Sequence, residues 1–258
     1  MLGLSSMYIT LFENTIENFI DDLKMNADGI TIAEVVDFKT TTLDNKLTIS
    51  ALKKVREVKL TVHGPFEPAS NISNPRDDNR KLAIAKLKLS IDHAADIGAV
   101  GFVQHPGSKI FAYDKESEEL NNDALIQLID YGNSRGVKMG IENMPPNVGF
   151  LSTPAEFDAF VKNNNLNLQI VFDTGHANMA GNMDDFINKY ASRFMQIHVT
   201  DNDGKTDSHL NVGEGTIDYK KFVHDLRKYG FNGAFVVESV RDPFKSVEAL
   251  KQLLSERP

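Results

Sequence analysis

The chain has 258 residues, 41% of them hydrophobic, a net charge of −8 and no cysteine. That length permits one large α/β domain or two small ones, and the apolar fraction is enough for a sizeable core. The acidic balance gives no global attraction for nucleic acid or an anionic membrane, and the missing cysteines exclude disulfides, thiolate zinc sites and a cysteine nucleophile. Any metal must be held by imidazole and carboxylate, donors that suit manganese, zinc, cobalt, iron or magnesium.

The apolar opening "MLGLSSMYITLF" has no basic flank and stops at Glu13. It is too short for a membrane span and unlike a signal peptide, so the expected location is cytoplasmic. From there, strand-like runs follow one another at 2–6, 30–36, 59–63, 100–105, 137–143, 169–173, 194–199 and 234–239. Between them lie segments such as 13–25, 80–98, 124–136 and 218–230, whose apolar residues recur at three and four as on half-buried helices. "TPAE" at 153–156 is a capping box with proline at the first helical position. Gly136 and Gly230 stand where helices should end.

Eight strand–helix units in this length predict one (β/α)₈ barrel over residues 1–258, with the active site at the C-terminal face of the strands. A doubly wound open sheet is the rival. It would call for a glycine-rich phosphate loop after the first strand, and "LGLSSM" is not one. "GEG" at 213–215 reads as a turn. The segments leaving strands, such as 64–79, 106–115, 144–152 and 200–215, are long, whereas those entering strands are short. Length is therefore concentrated on the face where barrel enzymes work.

The strand ends carry the chemistry. They present His63, His105, Glu142, Asp173 (with His176 just beyond, around a flexible Gly175), His198 and Glu238, and the loop after the seventh strand adds Asp207 and His209. Successive strand-end positions differ by 42, 37, 31, 25 and 40 residues, each compatible with one barrel unit. A single strand-end histidine or aspartate is more often a cap than a ligand. Six such ends brought to one rim would crowd carboxylates that raise each other's pKa, and a divalent cation is the natural compensator. His93 and His224 lie inside helical patterns and read as structural, and the Lys/Arg clusters at 53–59 and 80–88 read as solvated helix faces.

With "GIEN", "VFDTGHAN", "IHVTDNDGKTDSHLNVGEGTID" and "VVES" in place, the chain resembles the xylose-isomerase-like TIM barrels over nearly its whole length. That superfamily holds sugar isomerases and epimerases, related dehydratases and the endonuclease IV family. The resemblance implies that Glu142, Asp173, His198 and Glu238 bind one divalent metal (Mn, Zn, Co or Mg), while His176 contacts substrate. In the endonuclease branch the positions matching His63, His105, His176, Asp207 and His209 join these four to hold three zinc ions.

Details favour the sugar branch. The nuclease's H-x-x-Y is "HGPF" here, with Phe66; its D-T-C-H is "DTGH"; and only eleven residues separate His198 from His209. The expectation is a metal-dependent isomerase or epimerase of a small sugar or polyol, free or phosphorylated, working through an enediolate. Glu142 and Glu238 would be the acid/base pair, and a dehydratase or lyase is a close variant. The alternatives are a zinc phosphodiesterase acting on abasic DNA and a sugar-binding barrel without turnover. His63, His105, His176, Asp207 and His209 are then candidates for a second or third metal or for substrate. Nucleic acid and membrane are not expected partners.

Overall fold

The computed structural model describes residues 1–12, 14–26, 28–110 and 114–256. Glu13, where the apolar opening ends, and part of the 106–115 loop lie outside these.

The chain runs β1 (Leu2–Ser5), α1 (Met7–Leu11), α2 (Ile16–Met25), β2 (Ile30–Val36), α3 (Lys46–Leu52), β3 (Lys59–His63) and α4 (Asp77–Asp96). It continues with β4 (Gly101–Gln104), α5 (Lys115–Ser134), β5 (Met139–Glu142), α6 (Pro154–Asn164), β6 (Gln169–Asp173), α7 (Thr174–Ala180) and α8 (Met183–Tyr190). The last elements are β7 (Phe194–Val199), α9 (Tyr219–Lys228), β8 (Ala234–Val237) and α10 (Pro243–Ser255). Each strand pairs with the next, and β8 pairs in parallel with β1, so the sheet closes into a barrel. The open-sheet rival is excluded. No helix among the described residues is long and apolar enough to cross a membrane.

Side chains alternate across a strand with period two, and this alternation builds both the core and the site. Ala33, Val35, Leu60, Val62, Phe102, Ile141, Ile170, Phe172, Ile197, Val199, Phe235 and Val237 belong to one large buried cluster with the helices. The intervening positions fall on the other, interior face. Two steps along that face take Ile32 to Glu34, Thr61 to His63, Gly140 to Glu142, Val171 to Asp173, Gln196 to His198 and Val236 to Glu238. Ile32, Ala234 and Val236 form a small separate apolar cluster. The interior thus carries mostly uncharged side chains below and ionisable ones above.

Local signals fix the helices. Thr153 accepts from the Glu156 N–H at 3.3 Å, and Glu156 accepts from the Thr153 N–H at 2.9 Å, closing the expected capping box. Gly136 and Gly230 follow α5 and α9 at φ of 74° and 67°, left-handed conformations that favour glycine. Gly175 differs from expectation. It lies within α7, and a Cβ there would stand 2.9 Å from both Asn202 Nδ2 and Thr200 Cγ2. Close packing of α7 on the loop after β7, not flexibility, requires glycine at 175.

Candidate active site

Barrel closure gathers the interior-facing strand ends into one buried rim. Glu142, Asp173, His198, Glu238 and His63 are all nearly inaccessible, and His176 is 5% exposed. A cavity of about 530 Å³ opens above them, with His105, Asp207 and His209 also in its lining. All nine residues expected at the site are therefore in one place, although β4 ends one residue before His105 and β8 one before Glu238.

Three tight donor groups make up the site: His63–His105–Glu142, Glu142–Asp173–His176 and Glu34–His198–Glu238. The four expected metal ligands do not form one tight set. Glu142 links the groups: its Oε2 lies 3.1 Å from His105 Nε2 and 3.4 Å from His63 Nε2, and its Oε1 lies 3.3 Å from His198 Nδ1 and 3.5 Å from His176 Nδ1. His198 Nδ1 is also 3.5 Å from Glu238 Oε2. Outside this centre, Asp207 reaches His176 Nε2 at 3.3 Å and His209 Nε2 at 3.5 Å.

Several contacts set ring orientation. The Nδ1 atoms of His63 and His176 each lie 2.8 Å from a backbone carbonyl, those of Gly64 and Asn143, so Nδ1–H donates there, leaving His63 Nε2 toward Glu142 and His176 Nε2 toward Asp207. The Nε2 atoms of His63 and His105 approach to 3.1 Å. Phe66 packs its ring 5.4 Å from that of His63 and 5.6 Å from that of His105, giving the cavity an apolar wall. His209, at φ 44°, lies with Nδ1 3.0 Å from the Glu238 carbonyl, so it braces the end of β8 and not the glycine turn at 213–215.

The chemistry of the donor set fits a cation. Among the described residues, Glu142 Oε2, Asp173 Oδ2, His198 Nδ1 and Glu238 Oε1 are buried without a hydrogen-bond partner. An unpaired buried polar atom costs roughly 1–3 kcal/mol. Asp173 Oδ2 and Glu238 Oε1 are left without a partner, and Glu142 Oε2 and His198 Nδ1 meet only the histidine–carboxylate contacts above, so the donors suit a cation. Asp173 both caps and presents a donor: its Oδ1 accepts from the His176 N–H at 2.7 Å, starting α7, while Oδ2 stays unpaired.

Electrostatics agree. Burial pushes Asp173 above the usual carboxylate range. Burial, opposed by His198 and reinforced by Glu34 and Glu142, pushes Glu238 up to about 7. Burial also disfavours charge on Glu142, but His198 and His105 outweigh it and hold that carboxyl well below the usual range. Burial works against a charged His198, yet Glu238, Glu34 and Glu142 around it hold its pKa well above normal. Burial likewise opposes charge on His176 and His209, but Asp173 and Asp207 raise the first to about 10 and Asp207 raises the second to about 9. Without a cation, protonated histidines balance the carboxylates; a bound cation would displace those protons.

Glu34 is the residue that the strand-end argument missed. It sits within β2, fully buried, in the donor group with His198 and Glu238. The signal was a single carboxylate inside the apolar run "ITIAEVV". By contrast, Asp201 is structural: its oxygens accept from the backbone N–H groups of Asn202, Gly213, Gly215 and Ile217 at 2.9–3.2 Å. Gly215 must be glycine there, because a Cβ would fall 2.3 Å from the Asn202 carbonyl oxygen.

The sequence profile of the xylose isomerase-like TIM barrels matches residues 23–256. The chain belongs to this family. The uncharacterized protein MJ1311 of Methanocaldococcus jannaschii is 34% identical over 208 residues, 77% of this chain and 71% of that protein. A crystal structure of a D-tagatose 3-epimerase-like protein superposes with a TM-score of 0.85 at 30% identity, covering 98% of this chain and 96% of that one. A probable endonuclease 4 of Acholeplasma laidlawii is 27% identical, over 66% of this chain and 64% of that protein. Both branches of the family are thus represented among its relatives.

Proposed function

We propose that this barrel is a divalent-metal-dependent isomerase or epimerase of a small sugar or polyol, free or phosphorylated, acting in the cytoplasm. The observation that carries the reading is the buried donor atoms of Glu142, Asp173, His198 and Glu238 that lack a hydrogen-bond partner, with Glu142 and Glu238 lining one cavity. Those four residues would hold the metal. The similarity to a D-tagatose 3-epimerase-like protein supports a sugar as substrate.

When bound, the metal supplies a Lewis acid that lowers the cost of negative charge on substrate oxygens beside the reacting carbon. The chain supplies the proton transfer. Glu142 and Glu238 end strands on different sides of the barrel and meet around His198, so one removes the proton next to the carbonyl and the other returns it. His176, oriented through the Asn143 carbonyl, presents Nε2 to a substrate hydroxyl. The buried rim and the Phe66 wall exclude water, which strengthens each of these interactions.

The test is proton exchange. Metal-loaded protein incubated with a panel of ketoses in D₂O should place deuterium on the carbon next to the carbonyl of at least one, read by NMR. Chelated protein should place none, and Glu238→Gln should form no isomerised or epimerised product. No exchange with any ketose, free or phosphorylated, would count against the reading.

The abasic-site phosphodiesterase is the second reading. The observation favouring it is that all nine residues of the donor constellation stand at one end of the barrel, with Asp207 between His176 Nε2 and His209 Nε2. Metal counted per chain separates the two: one ion supports the sugar enzyme, whereas three zincs with incision of abasic duplex DNA support the nuclease.

A further inference from the structure

Glu34 is the one carboxylate of the donor groups that lies within a strand, short of its end, and its Oε2 meets the nitrogen of His198 opposite the one near Glu142 and Glu238. Its Oε2 lies 3.2 Å from His198 Nε2, accepts from the Gln196 side-chain amide and is 3.5 Å from Thr61 Oγ1. His198 therefore has two faces. Nδ1 looks toward Glu142 and Glu238 and lacks a hydrogen-bond partner; Nε2 looks toward Glu34 and Gln196.

A neutral imidazole carries its single proton on one nitrogen, and the other nitrogen is the donor to a metal. Two groups compete to decide which. The Gln196 amide, whose Nε2 is 3.0 Å from His198 Nε2, would put the proton on Nδ1 if it donated to the ring. The Glu34 carboxylate accepts only. It takes one N–H of the Gln196 amide, whose second N–H remains within reach of the ring, so a full carboxylate charge competes at Nε2 with a neutral amide donor, and charge-assisted hydrogen bonds are the stronger. A fully buried carboxylate beside Nε2 thus draws the ring proton to that side.

We propose that Glu34 is a positioning residue that holds the His198 proton on Nε2 and so leaves Nδ1 bare for a divalent cation. This rests on the reading that His198 is a metal ligand. The same geometry sets Glu34 apart from the four ligands: it acts on the far side of the imidazole, and outer carboxylate partners of this kind alter metal affinity by about 10- to 100-fold. The Glu34→Gln change is informative because the amide can donate to Nε2 and drive the proton onto Nδ1.

The experiment titrates ZnCl₂ into metal-stripped wild type and Glu34→Gln by calorimetry. It also records the melting temperatures of both metal-free proteins and long-range ¹⁵N–¹H spectra of ¹⁵N-histidine-labelled protein. The expected result is zinc affinity lower by about 10- to 100-fold in Glu34→Gln, with metal-free melting at or above that of wild type. His198 in zinc-loaded wild type should carry its proton on Nε2. Equal zinc affinity in the two proteins overturns the proposal, as does an affinity loss matched by a lower melting temperature, which would make Glu34 a structural prop. If the variant does not fold, the wild-type spectrum decides: a His198 proton on Nδ1 in the zinc-loaded protein overturns the proposal. Wild type that takes up no zinc removes the metal reading itself, an outcome distinct from a failure of Glu34 alone.

Discussion

Asp173 and Asp201 are both fully buried aspartates at the same end of the barrel, one closing β6 and the other beginning the loop after β7. Asp201 divides its two oxygens among four backbone N–H groups. Asp173 gives one oxygen to the start of α7 and leaves the other without a partner. Burial and residue type are the same, so neither distinguishes a structural carboxylate from a functional one. What distinguishes them is whether the fold itself satisfies the group. The rim around Asp173, Glu142, His198 and Glu238 is unsatisfied by the fold, and the web around Asp201 is complete.

The sharpest way to break this contrast is Glu238→Gln. The amide keeps size and fold but cannot shuttle a proton, so turnover should fall by about 10²- to 10⁴-fold, read as kcat on any ketose that exchanges. Unchanged kcat would take Glu238 out of the proton transfer. Next is Asp201→Ala, which strands several backbone donors. It should cost roughly 3 kcal/mol of stability in denaturant unfolding. The metal-free Asp173→Asn protein should stay within about 1 kcal/mol of wild type, because its Oδ2 has no partner to lose. Equal losses in the two would erase the difference between the regions.

A smaller effect is expected at His209, which touches Asp207 and the Glu238 carbonyl but is not among the four ligands. His209→Ala should retain metal and raise KM by about tenfold, the mark of lost substrate binding. Loss of one zinc per chain together with abasic-DNA incision would instead favour the nuclease.

The smallest effect concerns Glu156, satisfied like Asp201. Burial disfavours its charge, but Lys109 and Ser152 outweigh that and lower its pKa. A lowered folded-state pKa stabilises at pH above the unfolded value, roughly 4.3, and the contribution disappears as pH falls through the folded value. Glu156→Gln should therefore cost about 1 kcal/mol at neutral pH and little in acid, measured as the pH dependence of unfolding. An acid-independent cost would mean that the capping box does not depend on the charge.

Much of this was legible in the sequence, for identifiable reasons. β2, β3, β6 and β7 have the bounds that their apolar runs predict, whereas the runs at 100–105, 137–143 and 234–239 extend past the ladder. His105 and Glu238 lie one residue beyond their strands, although the Glu238 N–H still reaches the Val199 carbonyl at 3.0 Å, and chain that runs on from a strand reads like strand in a sequence. The metal-type constellation was legible because period-two alternation puts strand ends on the interior face. Glu34 was not, because searching strand ends passes over a carboxylate within a strand; its meaning depends on His198 and Gln196, more than 160 residues away. The seven-residue α7 was hidden behind Gly175, a turn-like residue whose packing role requires the loop after β7 to be in place.

The central claim is that the unsatisfied rim is completed by a divalent cation. Melting of metal-stripped protein with and without manganese tests it most directly. An ion present at about a thousand times its Kd adds roughly 4 kcal/mol, which raises the melting temperature of a chain of this size by about 10 °C. The account predicts that rise in wild type and its loss in Asp173→Asn. A wild type that melts at the same temperature with manganese, zinc or cobalt as without would contradict it.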